Sequence, residues 1–188
     1  MKRFGSIALV TVLFYVLIDI NDVMAQNKTQ DNPHADGMKV VETTVPQQNL
    51  LMVRVKCSEK EISQKLGESY GKIGAYAGKN GANMTGAPMA IYYEWAKDGF
   101  EFDAAVPFDK KLPGNDEVKW GEIKAGKVLK LKYYGDYSKI EPAYDVLKNY
   151  IKTNKKKTTG APWEVYANDP MTEKDPANWL TEIYFPVE

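Results

Sequence analysis

Two side chains near the C-terminus have the types and spacing for chemistry. Along Leu180–Val187 side chains alternate with the two-residue period of a strand. Glu182 and Tyr184 therefore share one face, and Ile183, Phe185 and Val187 share the other. A carboxylate set among aromatic rings suits a lipophilic cation: the rings supply apolar area and cation–π attraction, and the carboxylate supplies the opposite charge. An unpaired Glu in such a pocket is expected to have a raised pKa, because desolvation disfavours its charged form. Trp163, Tyr166, Tyr93 and Tyr133 are the aromatics that neighbouring strands are expected to bring to this acid. Asp103 in Asp103–Pro107 stands where Glu182 stands in Glu182–Pro186. The two acids are expected to approach one cleft, either as general acid and base or with one alone reaching a ligand. Glu94 and Glu164 are acids of lower rank.

These residues need strands to hold them, and the chain repeats the signals for such strands. Thr85-Gly86-Ala87-Pro88 returns as Thr159-Gly160-Ala161-Pro162, each copy leading into an apolar aromatic run. Upstream, Leu50–Val55 is echoed by Val128–Tyr133. Ser58 with Glu61 and Ser138 with Glu141 each read as a helix-start capping box. Ile62, Leu66, Tyr70 and Ile73 share one helical face, as do Ile140, Tyr144, Leu147 and Ile151. Pro142 fits a first helical turn. Tyr70 and Tyr150 are read as matched core positions. Gly67, Gly71 and Gly74 in the first helix either fray it or let it approach a sheet closely; each costs roughly 1 kcal/mol of helix propensity relative to Ala. The expected fold is α+β: duplicated βαββ units, about residues 38–112 and 116–188, related by a pseudo-twofold. Each unit has antiparallel strands and one long helix, with a ligand cleft between the units.

Residues 1–25 read as a secretory leader: Lys2 and Arg3, then the apolar stretch Phe4–Ile18, then small residues at Val23-Met24-Ala25, with cleavage expected between Ala25 and Gln26. A periplasmic or secreted location and no stable membrane anchor after cleavage follow from that reading. Residues 26–37 are polar and are expected to be a disordered linker.

Composition removes several function classes. Lys and Arg number 25, and so do Asp and Glu, which disfavours nucleic acid as a partner because that affinity rests on phosphate neutralisation. The Lys155-Lys156-Lys157 cluster is read as a solvated loop. The single cysteine, Cys57, allows no intrachain disulfide and reads as a structural thiol. The single histidine, His34, lies in the linker, which argues against His-based triads, zinc sites and His-ligated haem. No cofactor and no metal are expected.

Tyr134-Gly135-Asp136-Tyr137 before a helix, Gly160-Ala161-Pro162-Trp163-Glu164-Val165-Tyr166, Asn168-Asp169-Pro170 and Thr181–Val187 together resemble the GyrI-like small-molecule-binding family, the effector-binding domain of multidrug-responsive and AraC-type regulators. The resemblance covers roughly residues 38–188. It implies two βαββ units with a pocket between them, a ligand-binding acid on the final strand at Glu182 and an aromatic beside it at Tyr184. It also implies a hydrolase alternative, since some relatives hydrolyse cyclopropane-containing genotoxins, and a protein-masking alternative with a protein as partner. A leader where a DNA-binding segment might stand points away from a transcription factor. The expectation is an exported binding module for small hydrophobic, cationic or amphipathic molecules, more a binder than an enzyme.

Overall fold

The computed structural model describes residues 37–96, 99–168 and 172–188. The expected leader lies outside the described residues, as does the linker apart from Gly37. Eight strands and two α-helices are described: β1 (Val40–Val45), β2 (Gln48–Cys57), α1 (Ile62–Lys79), β3 (Met89–Ala96), β4 (Gly99–Phe108), β5 (Lys119–Ile123), β6 (Gly126–Tyr134), α2 (Glu141–Thr153), β7 (Trp163–Tyr166) and β8 (Leu180–Pro186). The strands form one antiparallel sheet in the order β1-β6-β8-β7-β3-β4-β2-β5. Each strand–helix–strand–strand set is contiguous in that order, and β3 pairs with β7 at the seam. The first strand of each half crosses over: β1 pairs with β6, and β5 with β2.

Strand alternation sorts the sheet into two faces. On the helix side, α1 covers Leu51, Val55, Phe102, Ala104 and Val106, while α2 covers Leu129, Leu131 and Ile183. Ile73 and Leu147, both fully buried, anchor the helices; burying one such side chain is worth roughly 1.5–3 kcal/mol. The helical faces read from the spacing are the faces that pack. The helix-free side has its own apolar cluster around Leu50, Met89, Ile91, Val128, Trp163 and Tyr184.

The repeated tetrapeptide makes matching contacts in both halves. Thr85 N–H donates to the Pro107 carbonyl at 3.0 Å, and Thr159 N–H to that of Pro186 at 2.9 Å. Across the seam, Tyr92 N–H donates to the Pro162 carbonyl and Tyr166 N–H to the Pro88 carbonyl, both at 3.0 Å. The seam register pairs Met89 with Val165, Ala90 with Glu164 and Ile91 with Trp163. Ala90 and Glu164, which hold the same place after their tetrapeptides, thus face each other at its centre.

Three local expectations change. Ser58 and Glu61 do cap each other, on a 3₁₀ turn that leads into α1, but Ser138 falls inside the equivalent turn, so Asp136 takes over and accepts from Ser138 N–H at 2.8 Å. A Cβ added at Gly67, Gly71 or Gly74 would meet open space, so these glycines serve no close helix–sheet approach. Tyr150 matches Tyr76, not Tyr70: both precede by four residues an Asn whose side-chain amide donates to their carbonyl.

Candidate functional site

On the helix-free face, Glu182 and Tyr184 stand together as the alternation requires. Tyr184 OH donates to Glu182 Oε2 at 2.7 Å, and the Trp163 ring stacks on Tyr184 with centroids 5.3 Å apart and planes at 7°. Glu182 is not unpaired. Lys130 Nζ lies 2.7 Å from Oε1, and Lys132 Nζ lies 3.9 Å from it. Both lysines come from β6, whose register sets Lys132 opposite Glu182 and Lys130 opposite Tyr184. Burial pushes the Glu182 carboxyl up, but the hydrogen bonds from Lys130 and Tyr184 outweigh it and leave the pKa below its ordinary value. The expected raised pKa is thus reversed, because a cation reaches the acid from the adjacent strand.

Asp103 is likewise engaged. The Arg54 guanidinium grips it in bidentate fashion at 2.6 and 3.0 Å, and Tyr93 OH donates to its Oδ2 at 2.8 Å. Arg54 also lies 4.2 Å over the Tyr93 ring. A break in the β3–β4 register between Tyr92 and Glu94 makes Tyr93 the extra residue there, and such bulges re-aim side chains. Asp103 and Glu182 lie on β4 and β8, with β3 and β7 between them. Three strand spacings are roughly 14 Å, so the two acids do not converge as an acid–base pair.

Two of the expected aromatics lie on the other face. Tyr133 points to the helix side and donates to the Asp136 carbonyl at 3.0 Å. Tyr166 also points there, and it leads to the acid that best fits an aromatic-ringed site. Glu164 is 4% exposed. Tyr144 OH, from α2, donates to its Oε1 at 2.6 Å, and Tyr166 OH donates to Oε2 at 2.9 Å. Tyr92 OH meets Tyr166 OH at 3.2 Å. Among the described residues no Lys or Arg forms an ion pair with Glu164. Burial raises its pKa despite the tyrosine hydrogen bonds, and burial together with the nearby carboxylate raises those of Tyr92, Tyr144 and Tyr166. A buried charge is ordinarily paired, because desolvation is costly.

Half-buried rings border this acid. Tyr137 packs edge-on against Tyr166 at 5.6 Å and stacks on Trp179 at 4.9 Å. Thr181, directly opposite Tyr166 on β8, has a fully buried hydroxyl with no hydrogen-bond partner. In the sequence, the one signal for this site is the run Trp163-Glu164-Val165-Tyr166, where a two-residue period puts the acid and Tyr166 on one face of an otherwise apolar strand.

The model of the GyrI-like small-molecule-binding domain matches residues 38–188. The chain belongs to the GyrI-like family. Among solved structures it is similar to the EcmrR C-terminal domain, with 20% identity and a TM-score of 0.67 over 80% of this chain and 98% of that one. It also matches EcmrR in a complex with DNA, at TM-score 0.72 and 20% identity over 90% of this chain, and spans 63% of that longer chain. SAV2435 bound to tetraphenylphosphonium is similar at TM-score 0.59 and 14% identity, over 80% of this chain and 94% of that one. At these identities the likeness is one of fold. No curated protein sequence matches the chain.

Proposed function

We propose that this GyrI-like domain binds lipophilic cations on the helix side of the seam, with Glu164 as the counter-charge. The observation that carries the reading is a carboxylate at 4% exposure, held by tyrosine hydroxyls and without an ion-pair partner among the described residues. An apolar cation between the rings would supply the missing charge, and the buried Thr181 hydroxyl is a spare polar group at the same place. Entry would displace the stacked Tyr137 and Trp179, which are only half buried. A relative of the same fold bound to tetraphenylphosphonium supports this ligand class. Glu182, whose charge Lys130 already meets, is the weaker choice of acid.

Calorimetric titration with tetraphenylphosphonium tests the reading. Glu164→Gln should weaken binding at least tenfold, about 1.4 kcal/mol, and Glu182→Gln less than threefold. The reverse order would return the site to Glu182, and an unshifted affinity in both variants would remove both acids from it. Consumption of a reactive ligand in the same cell would favour a hydrolase. The leader-like residues 1–25 support a location outside the cytoplasm, to be checked by whether the mature chain starts at Gln26.

A further inference from the structure

Among the described residues no ammonium or guanidinium pairs with Glu164. Across the strands it faces Ala90 on β3 and Ile183 on β8. The titratable groups around it are tyrosines. Tyr144 comes from α2, Tyr166 from its own strand and Tyr92 from β3. Tyr70, from α1, is close enough to feel its charge, and Tyr137 packs behind Tyr166. An ionised carboxylate among these rings is a lone buried charge, which is costly. Burial raises the pKa of Glu164, and it raises those of Tyr70, Tyr92, Tyr144 and Tyr166 as well. Of these five groups the carboxyl therefore titrates first.

The hydroxyls around the acid can serve either protonation state. When Glu164 is ionised, Tyr144 donates to Oε1 and Tyr166 to Oε2, at 2.6 and 2.9 Å. A protonated carboxyl is also a donor and needs an acceptor. With Oε1 supplied by Tyr144, the proton fits Oε2, where Tyr166 Oη can accept it across the same 2.9 Å. The Tyr166 hydroxyl then turns to Tyr92 Oη, 3.2 Å away, a contact in which either oxygen can be the donor. The row Glu164–Tyr166–Tyr92 thus runs in one direction for the carboxylate and in the other for the acid. We propose that a proton and a lipophilic cation exchange at Glu164: the unliganded site holds the proton on Oε2, and an entering cation sends that proton to solvent. The buried site is then neutral in both states. This rests on the reading of Glu164 as the counter-charge, and adds that pH controls its affinity.

Calorimetric titration of the full chain with tetraphenylphosphonium tests this, run from about pH 4 to 9 in paired buffers of unlike ionisation enthalpy. On the acid side of the Glu164 titration, affinity should rise by close to tenfold per pH unit, with about one proton released per cation bound, and above it affinity should level off. Glu164→Gln should release no proton and show a flat profile. Tyr144→Phe removes a donor that favours the ionised form, so its midpoint should move up by roughly one pH unit; mere loosening of the site would weaken binding equally at every pH. Infrared spectra read the proton without a ligand. At about pH 6, where exposed carboxylates are ionised, the wild type should show a protonated-carboxyl band that tetraphenylphosphonium removes. The wild-type profile and band decide the matter without any variant. Cation binding of constant affinity across that range, or unliganded protein without the band, would overturn the exchange and leave Glu164 a permanently ionised counter-charge. No tetraphenylphosphonium binding at any pH would overturn the exchange together with the reading beneath it, so whether the cation binds tells the two failures apart.

Discussion

The two halves of the sheet share their scaffolding and differ in their charges. Both tetrapeptides dock on a proline carbonyl, both helices end on an Asn that caps a tyrosine carbonyl, and both seam strands hydrogen-bond to the opposite loop. On the helix-free face each half carries an acid gripped by a cation, Asp103 by Arg54 and Glu182 by Lys130. On the helix side the buried acid among the described residues is Glu164 of the second half, facing Ala90 of the first. Acids that the scaffold needs come in both halves and come paired. Among the described residues the buried acid without a counter-ion is Glu164, and the residue at its place in the first half is alanine.

The strongest way to break this asymmetry is Ala90→Glu. Ala90 is fully buried, and a second carboxylate against Glu164 should cost more than about 4 kcal/mol, read as loss of a cooperative transition in urea. Tyr144→Phe should cost about 1–3 kcal/mol, because it strips a carboxylate of a donor. Tyr70→Phe removes only a hydroxyl bonded to the Met89 carbonyl and should cost about 0.5–1.5 kcal/mol. Equal costs would mean that Glu164 gains nothing particular from α2.

The pH dependence should differ in sign between the paired and the unpaired acid. The folded pKa of Glu164 is raised above the ordinary 4.5, so the unfolded chain loses its proton first. Wild-type stability then falls as pH rises from about 4.5 to the folded value and stays lowered above it. Glu164→Gln should therefore gain on the wild type with rising pH and lose that advantage in acid. The folded pKa of Glu182 is lowered below 4.5, so its contribution is present above 4.5 and lost as pH falls through the folded value. Glu182→Gln should be the less stable protein at neutral pH and approach the wild type in acid. Thermal melts of the three proteins from pH 3 to 8 read both signs.

The smallest effect concerns a matched backbone position. Gly81 and Lys155 follow their helices in the left-handed region, at φ 58° and 51°. A side chain there costs roughly 1–2 kcal/mol, partly recovered in the unfolded chain because glycine is freer. Lys155→Gly should stabilise by up to about 1 kcal/mol and Gly81→Lys should destabilise by a similar amount, measured by urea unfolding.

The helices and strands were legible because their signals are local. Ile62, Leu66, Tyr70 and Ile73 recur at helical spacing, Glu182 and Tyr184 at strand spacing, and each set packs as that spacing requires. The crossing of β1 onto β6 and of β5 onto β2 was not legible, because each short strand pairs with a partner far away in the chain. The partner of Glu182 was hidden for the same reason. Glu182 looked unpaired because Lys130 is 52 positions away (182 minus 130) and reaches it only through the β6–β8 register.

The sequence by itself determined the α+β class, the packing faces of the two helices, the shared face of Glu182 and Tyr184 and the GyrI-like resemblance, since all of these rest on periodicity and short motifs. Only the tertiary structure decided which carboxylate has a cation. Counter-ions come from neighbouring strands and covering helices, and a shift of one residue in register would exchange the two faces. That register makes Glu182 a paired acid and leaves Glu164 buried among tyrosines.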